Sequence, residues 1–155
     1  ARSFYDEYFK NFSGLAEYLN KVKFETAQKG YTETFFGRRR YFEGINSKLP
    51  FIRAAAERMA INAPIQGTQA DMIKISMIHI YEKFRALGML DSVRLLLQVH
   101  DELIFEIRTP EVKKASKIIQ EIMQNVLTSE QSLGVPIITS ANAGKNWNKL
   151  EPLEM

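Results

Sequence analysis

The chain has 155 residues, of which 45% are hydrophobic and 25% charged, enough apolar content to bury a core and too little charge for wholesale disorder. It contains no cysteine, which excludes disulfides and thiolate metal sites. No apolar run reaches transmembrane length, and the start lacks the layout of a signal peptide. The formal net charge of +3 is unevenly spread: Lys21 to Gln66 carries a net +5, a patch suited to a polyanion.

In chain order, Phe4, Tyr5, Tyr8, Phe9 and Phe12 recur at near-helical spacing and predict a short aromatic-faced helix. Ser13 is placed to cap a second helix with an apolar stripe of Leu15, Tyr18, Leu19 and Val22, ended by Lys29-Gly30. Tyr31 to Phe36 reads as extended. Gly37 turns the chain into Arg38-Arg39-Arg40-Tyr41, completing an irregular hairpin. Pro50 to Ala60 reads as a helix that Pro64 interrupts, because proline lacks an amide hydrogen and clashes one turn back.

A longer helix is expected from about Gln66 to Leu87, burying Ala70, Ile73, Met77, Ile80 and Phe84 and closed by Gly88. Val93 to Val99 and Glu102 to Ile107 follow as two strands, with His100-Asp101 at their bend. Alternation puts Leu95, Leu97 and Val99 on one face, and apolar residues on both faces predict a larger sheet around the hairpin. Thr109-Pro110-Glu111 starts a helix, Thr capping it, whose core face is Val112, Ile118, Ile119, Ile122, Val126 and Leu127. Val135 to Thr139 reads as a last strand, and Gly144 to Trp147 as a final turn docking its indole. The predicted class is α+β, helices packed on an antiparallel sheet.

Two constellations carry chemistry. Asp101 at a hairpin bend satisfies a common turn preference, since its carboxylate accepts bonds from nearby amides. A rigid hairpin also holds a charge at a fixed point, as a metal site requires, and Mg²⁺ prefers oxygen ligands. Adjacent strand side chains point to opposite faces, so Asp101 and Glu102 share one ion only if the bend turns them together. The second constellation is Arg58 and Asn62, four apart on one helical face, with Gln66 after the proline. Such a row is either a solvated face or a set of donors aimed at minor-groove acceptors, which every base pair displays.

The run Ala56-Glu57-Arg58-Met59-Ala60-Ile61-Asn62-Ala63-Pro64-Ile65-Gln66-Gly67-Thr68-Gln69-Ala70-Asp71 resembles a segment of the bacterial DNA polymerase I family, family A. Leu95 to Glu102 resembles its third polymerase motif. Lys29-Gly30-Tyr31, Phe36 to Tyr41, and Val135-Pro136 through Trp147 match in family order. Gln69 stands where many relatives carry Ala.

The resemblance implies the C-terminal fragment of a right-hand polymerase domain with a palm-type sheet. Residues 1–49 would be the helical and hairpin part of the fingers/palm junction, and 50–155 the C-terminal part of the palm. Asp101 would be one of the metal-binding catalytic carboxylates, Glu102 would lie near the metals and His100 by the primer terminus. Arg58, Asn62 and Gln66 would face the minor groove of the primer–template. Arg38, Arg39 and Arg40 would lie toward nucleic acid or brace the hairpin.

The implied cofactor is Mg²⁺, two ions in the complete enzyme. The implied partners are primer–template DNA, a deoxynucleoside triphosphate and an N-terminal part of the polymerase, with no membrane. The implied location is cytoplasmic and nucleoid-associated in a bacterium, or organellar in a eukaryote. The family's other catalytic aspartate and its triphosphate-gripping fingers helix have no counterpart in this sequence, so the fragment alone is expected to be inactive. The alternative is a non-catalytic duplex-binding module.

Overall fold

The computed structural model describes residues 2–153. The side chains of residues 2–6 lie outside that description, and with them the expected roles of Phe4 and Tyr5. The chain forms two compact units, Ala1–Thr68 and Gln69–Met155, whose division falls inside one long helix.

In the first unit, helix α1 (Arg2–Asn11) leads into α2 (Ser13–Lys29). Ser13 does not cap α2. The carbonyl of Phe12 already accepts from the Leu15 and Ala16 amides, at 3.1 and 3.2 Å, so Ser13 stands inside the first turn. Gly30 ends the helix with φ 79°, a left-handed conformation that costs glycine little, and its N–H reaches the Thr26 carbonyl at 2.7 Å. Strands β1 (Tyr31–Glu33) and β2 (Arg39–Tyr41) then pair antiparallel, with Tyr31 opposite Tyr41, Thr32 opposite Arg40 and Glu33 opposite Arg39.

Helix α3 runs unbroken from Pro50 to Ala86, with Pro64 inside it. The expected interruption is absent. A proline in a helix interior costs about 3 kcal/mol, but the turns before it are pinned by packing. Ala56, Ala60 and Ala63 are buried against Phe42 and Ile45, and alanine at these positions lets the segment after β2 approach the helix closely. The Thr68 hydroxyl also donates to the Pro64 carbonyl at 2.6 Å. Tertiary burial outweighs local propensity here.

In the second unit α3 buries Ile73, Ile80 and Phe84, while Ala70 and Met77 are half-buried. The helix closes as expected at Gly88 (φ 66°): the Gly88 N–H bonds the Arg85 carbonyl and the Met89 N–H the Phe84 carbonyl, a Schellman ending with Met89 folded onto Phe84 in the core. Strands β3 (Val93–Val99) and β4 (Glu102–Ile107) form an antiparallel hairpin with the expected bounds. Its Leu103, Phe105 and Ile107 pack on the core of Ile80, Phe84, Met89, Val93, Ala115 and Ile119.

The simple alternation along β3 does not survive. Leu95 pairs with Phe105 but Leu97 with Ile104, so an extra residue, Leu96, is bulged out. Beyond the bulge Gln98, not Leu97 or Val99, lies opposite Leu103 on the core side. The larger sheet expected around this hairpin is also absent among the described residues, where Leu95, Leu96 and Leu97 stay exposed.

Thr109 opens a 3₁₀ turn (Thr109–Glu111) rather than capping by its side chain, and helix α4 (Val112–Gln124) follows. Val126 and Leu127 lie beyond α4, which stops where the Asn125 side-chain Nδ2 turns back and donates to the Glu121 carbonyl at 2.7 Å. A short helix α5 (Ser129–Ser132) carries a reciprocal capping box between Thr128 and Gln131, a T-x-x-Q signature that went unread in the sequence.

Val135 to Thr139 is not a strand. No described strand offers it a partner, Pro136 has no N–H to give one, and Val135 and Ile138 stay exposed. The segment is held instead by Gln120 Nε2 on the Thr139 carbonyl and Gln124 Nε2 on its hydroxyl, both at 3.1 Å. The last residues form a further hairpin, β5 (Asn142–Asn146) with β6 (Lys149–Pro152), and Trp147 sits at its turn with the indole more than half exposed, not docked. The class is α+β, but among the described residues the expected single sheet is three separate two-stranded ones.

Candidate nucleic-acid interface and carboxylate hairpin

The first unit holds six of the residues singled out in the sequence. Because α3 is continuous through Pro64, Arg58, Asn62 and Gln66 stand on one helix at four-residue steps, and all three are exposed. An ideal helix spreads them over roughly 12 Å and turns the row about 40° per step. Among the described residues none of the three spends its side-chain donors inside the chain. Arg53, on the same helix, is instead drawn toward Glu57 at 3.8 Å.

The three arginines of the hairpin separate into different roles. Arg39 Nε donates to Glu33 Oε1 at 2.7 Å across the β1–β2 pair, and its guanidinium lies 4.7 Å from the Tyr31 ring centroid. The Glu33 hydrogen bond, reinforced by Tyr41, raises its pKa further, so Arg39 is a permanent brace of the hairpin. Arg38 Nη2 donates to the Gly67 carbonyl at 3.0 Å and ties the hairpin to α3 beside Gln66. Arg40 has softer neighbours, the Met59 sulfur at 3.9 Å and the Phe42 ring at 5.5 Å.

The docking of the hairpin rests on a glycine that the sequence reading passed over. A Cβ at Gly67 would stand 2.6 Å from Thr34 Cγ2 and 3.4 Å from Arg38 Nη2. The Phe35 N–H also reaches Thr68 Oγ1 at 2.9 Å. The available signal was a lone glycine inside a helical pattern, which usually marks a packing constraint. Gly67→Ala gains about 1 kcal/mol of helix propensity but overpacks this contact, a strain of about 1–3 kcal/mol. The expected result is a lower melting temperature, restored by adding Thr34→Ser, which removes the opposing methyl. Equal melting of the single and double variants counts against the contact.

The second unit holds the remaining three. Val99 pairs with Glu102, which leaves a two-residue loop of His100 and Asp101. His100 takes φ 53° in the left-handed region, and Gln98 Nε2 braces the loop by donating to the His100 carbonyl at 3.1 Å. His100, Asp101 and Glu102 are all exposed. Among the described residues the Asp101 carboxylate accepts no hydrogen bond from the chain, so the turn does not use it as a cap.

Asp101 and Glu102 offer the hard oxygen donors that Mg²⁺ takes. The donor chemistry therefore fits, but the set is small: among the described residues no group of three or more His, Asp or Glu side chains is placed to hold a metal. No described helix is long and apolar enough to cross a membrane.

Residues 1–149 match the family model for DNA polymerase family A. The chain is 43% identical over 149 residues to DNA polymerase I of Rhizobium leguminosarum, covering 96% of this chain and 15% of that protein. To DNA polymerase I of Chloroflexus aurantiacus it is 41% identical over 155 residues, 100% of this chain and 16% of that one. Among solved structures, the polymerase domain of Pol1 from M. smegmatis, in complex with DNA primer-template and dNTP, superposes with a TM-score of 0.79 at 40% identity over 87% of this chain and 23% of that one. The chain thus spans about a sixth of the length of these curated relatives.

Proposed function

Because the chain belongs to DNA polymerase family A, we propose that it is part of a DNA-directed DNA polymerase and supplies that enzyme's duplex-facing donor row and one of its carboxylate anchors. The observation that carries this reading is the bare Asp101 carboxylate, exposed at the tip of a braced two-residue turn that makes no use of it. In the subdomain anatomy of such an enzyme, residues 1–49 belong to the fingers/palm junction and 50–155 to the palm.

The reaction is transfer of a nucleotidyl group: the primer 3′-hydroxyl attacks the α-phosphate of a deoxynucleoside triphosphate, a P–O bond forms, and pyrophosphate leaves. Arg58, Asn62 and Gln66 hold the primer–template by donating to minor-groove acceptors, which fixes its position without reading its sequence. His100 stands by the primer terminus. Asp101, with Glu102 beside it, presents negative charge for Mg²⁺, and the remaining ligands come from another part of the polymerase. The ions, when bound, neutralise charge that develops on the transferring phosphate.

Two carboxylates are too few for a pair of divalent ions, so the isolated chain binds duplex but does not extend a primer. Titrating labelled primer–template at several salt concentrations and assaying extension in parallel tests both statements. The expected result is salt-sensitive binding, with a dissociation constant on the order of 10⁻⁴–10⁻⁶ M at physiological salt and no extension. Where Arg58 contacts a phosphate as well as a base edge, Arg58→Gln lowers the log–log salt slope by about 0.9. Binding indifferent to salt, or extension near the rate of a complete enzyme, overturns the reading.

A further inference from the structure

The chain has six methionines and no cysteine, so an oxidant meets no thiol and the sulfurs open to it are all thioethers. Among the described residues Met59 is the one exposed methionine, at 45%. Met72, Met77 and Met123 are half-buried, and Met89 is buried in the core of the second unit. Met59 lines a groove of about 470 Å³ beside Tyr41, Phe51, Ile52 and Ala55, which gives a small oxidant room to reach its sulfur.

The sulfur already has a donor aimed at it. Arg40 Nη2, on β2, lies 3.9 Å from the Met59 sulfur on α3. Among the described residues the Arg40 guanidinium meets no carboxylate, and its other neighbour is the Phe42 ring at 5.5 Å. A thioether is a weak acceptor, so this contact holds Arg40 loosely. A sulfoxide oxygen is a strong one. In the reaction with a peroxide, a sulfur lone pair attacks one peroxide oxygen: an S–O bond forms, the O–O bond breaks, and the released hydroxide takes up a proton to leave as water. The sulfur gives up two electrons and the peroxide gains them. The new oxygen stands one bond length out from the sulfur, which closes the gap to Arg40 to an ordinary, charge-assisted hydrogen bond.

We propose that Met59 is a reversible peroxide-oxidation site whose sulfoxide captures the Arg40 guanidinium. Oxidation turns a loosely held cation into a brace between β2 and α3, as Arg38 on the Gly67 carbonyl already is. The brace offsets the cost of placing a polar oxygen beside the apolar lining of the groove. The consequence for nucleic acid rests on the duplex reading: a captured Arg40 has fewer donors for a phosphate, so oxidation weakens duplex binding. The oxidation site itself does not depend on that reading.

The test treats the 155-residue chain with dilute hydrogen peroxide and follows it by peptide mass mapping, thermal melts and titration of a labelled duplex. Met59 is expected to gain one oxygen about tenfold faster than Met72, Met77, Met89 and Met123, since susceptibility follows exposure. The oxidised parent melts with the reduced one, whereas oxidised Arg40→Leu melts below its own reduced form because its sulfoxide has no donor. Duplex affinity of the parent falls about threefold on oxidation, one hydrogen bond's share. The two methionine sulfoxide reductases, one for each sulfoxide epimer, restore it. Met59→Leu is indifferent to peroxide in melting and in binding.

Met59 oxidised no faster than the half-buried methionines overturns the proposal. So does an oxidised parent destabilised as much as oxidised Arg40→Leu, or a peroxide effect that persists in Met59→Leu. Oxidation at Met59 with melting held and duplex affinity unmoved supports the capture and overturns the part given to Arg40 in duplex binding. A parent that binds no duplex, yet oxidises and melts as expected, supports the site and overturns the duplex reading.

Discussion

In a polymerase that contains this chain together with the segments that complete its active site, Asp101→Asn is expected to lower primer extension by about 10²–10³-fold or more. The same variant should melt at or slightly above the parent temperature and keep its affinity for primer–template. The difference follows from where the charge stands. Asp101 is exposed in the two-residue loop between Val99 and Glu102, and the chain gives its carboxylate no hydrogen-bond partner. Asparagine suits a turn as well as aspartate does, so folding loses nothing. Removing one negative charge beside Glu102 relieves repulsion. A hard divalent cation, by contrast, loses an anionic oxygen that a neutral amide does not replace. Glu102→Gln is the control and should cost less, because Glu102 is the first residue of β4 and adjacent side chains entering a strand leave on opposite faces, away from an ion held by Asp101. Extension, melting and DNA affinity measured on both variants decide the matter: an Asp101→Asn enzyme working near the parent rate rules out the metal role and leaves the fold assignment untouched.

Replacing Arg58, Asn62 and Gln66 together by alanine is expected to reduce duplex affinity of the isolated chain by about 10²-fold. Hydrogen bonds contribute about 0.5–1.5 kcal/mol each when neutral and 1.5–3 kcal/mol when charged, and a tenfold change is about 1.4 kcal/mol. The three side chains are exposed and make no hydrogen bond within the chain among the described residues, so no buried partner is orphaned by their removal. Alanine is the strongest helix former, and the triple variant should melt at or above the parent temperature. Lys74→Ala, which like the triple variant removes a single exposed positive charge from α3, serves as the comparison for charge alone. If the single and triple variants lose affinity equally, the row acts only through its charge and the groove-reading role fails.

The sequence by itself determined the elements whose cause is local. Gly30, Gly37 and Gly88 end or turn their elements with positive φ, a demand met within a few residues. The bounds of β3 and β4 were legible because strong β-formers flank a two-residue turn, and the family was legible because whole motifs stand in order.

Tertiary structure decided what depends on partners distant in sequence. Pro64 fails to break α3 because Ala56, Ala60 and Ala63 are buried under Phe42 and Ile45, contacts that no local rule at Pro64 contains. That continuity, not the four-residue spacing alone, puts Gln66 in line with Arg58. The bulge at Leu96 reverses the strand alternation toward the tip, since pairing register is a property of two strands and not of one. Val135 to Thr139, apolar enough for a strand, stays irregular because a strand exists only where another offers its hydrogen bonds. The distinct duties of Arg38, Arg39 and Arg40, adjacent and chemically identical, were set by what lies across from each: the Gly67 carbonyl, Glu33, and the Met59 and Phe42 side chains. A side chain's type is written in the sequence, whereas its partner, and so its charge's availability to a ligand, is fixed only when the chain folds back on itself.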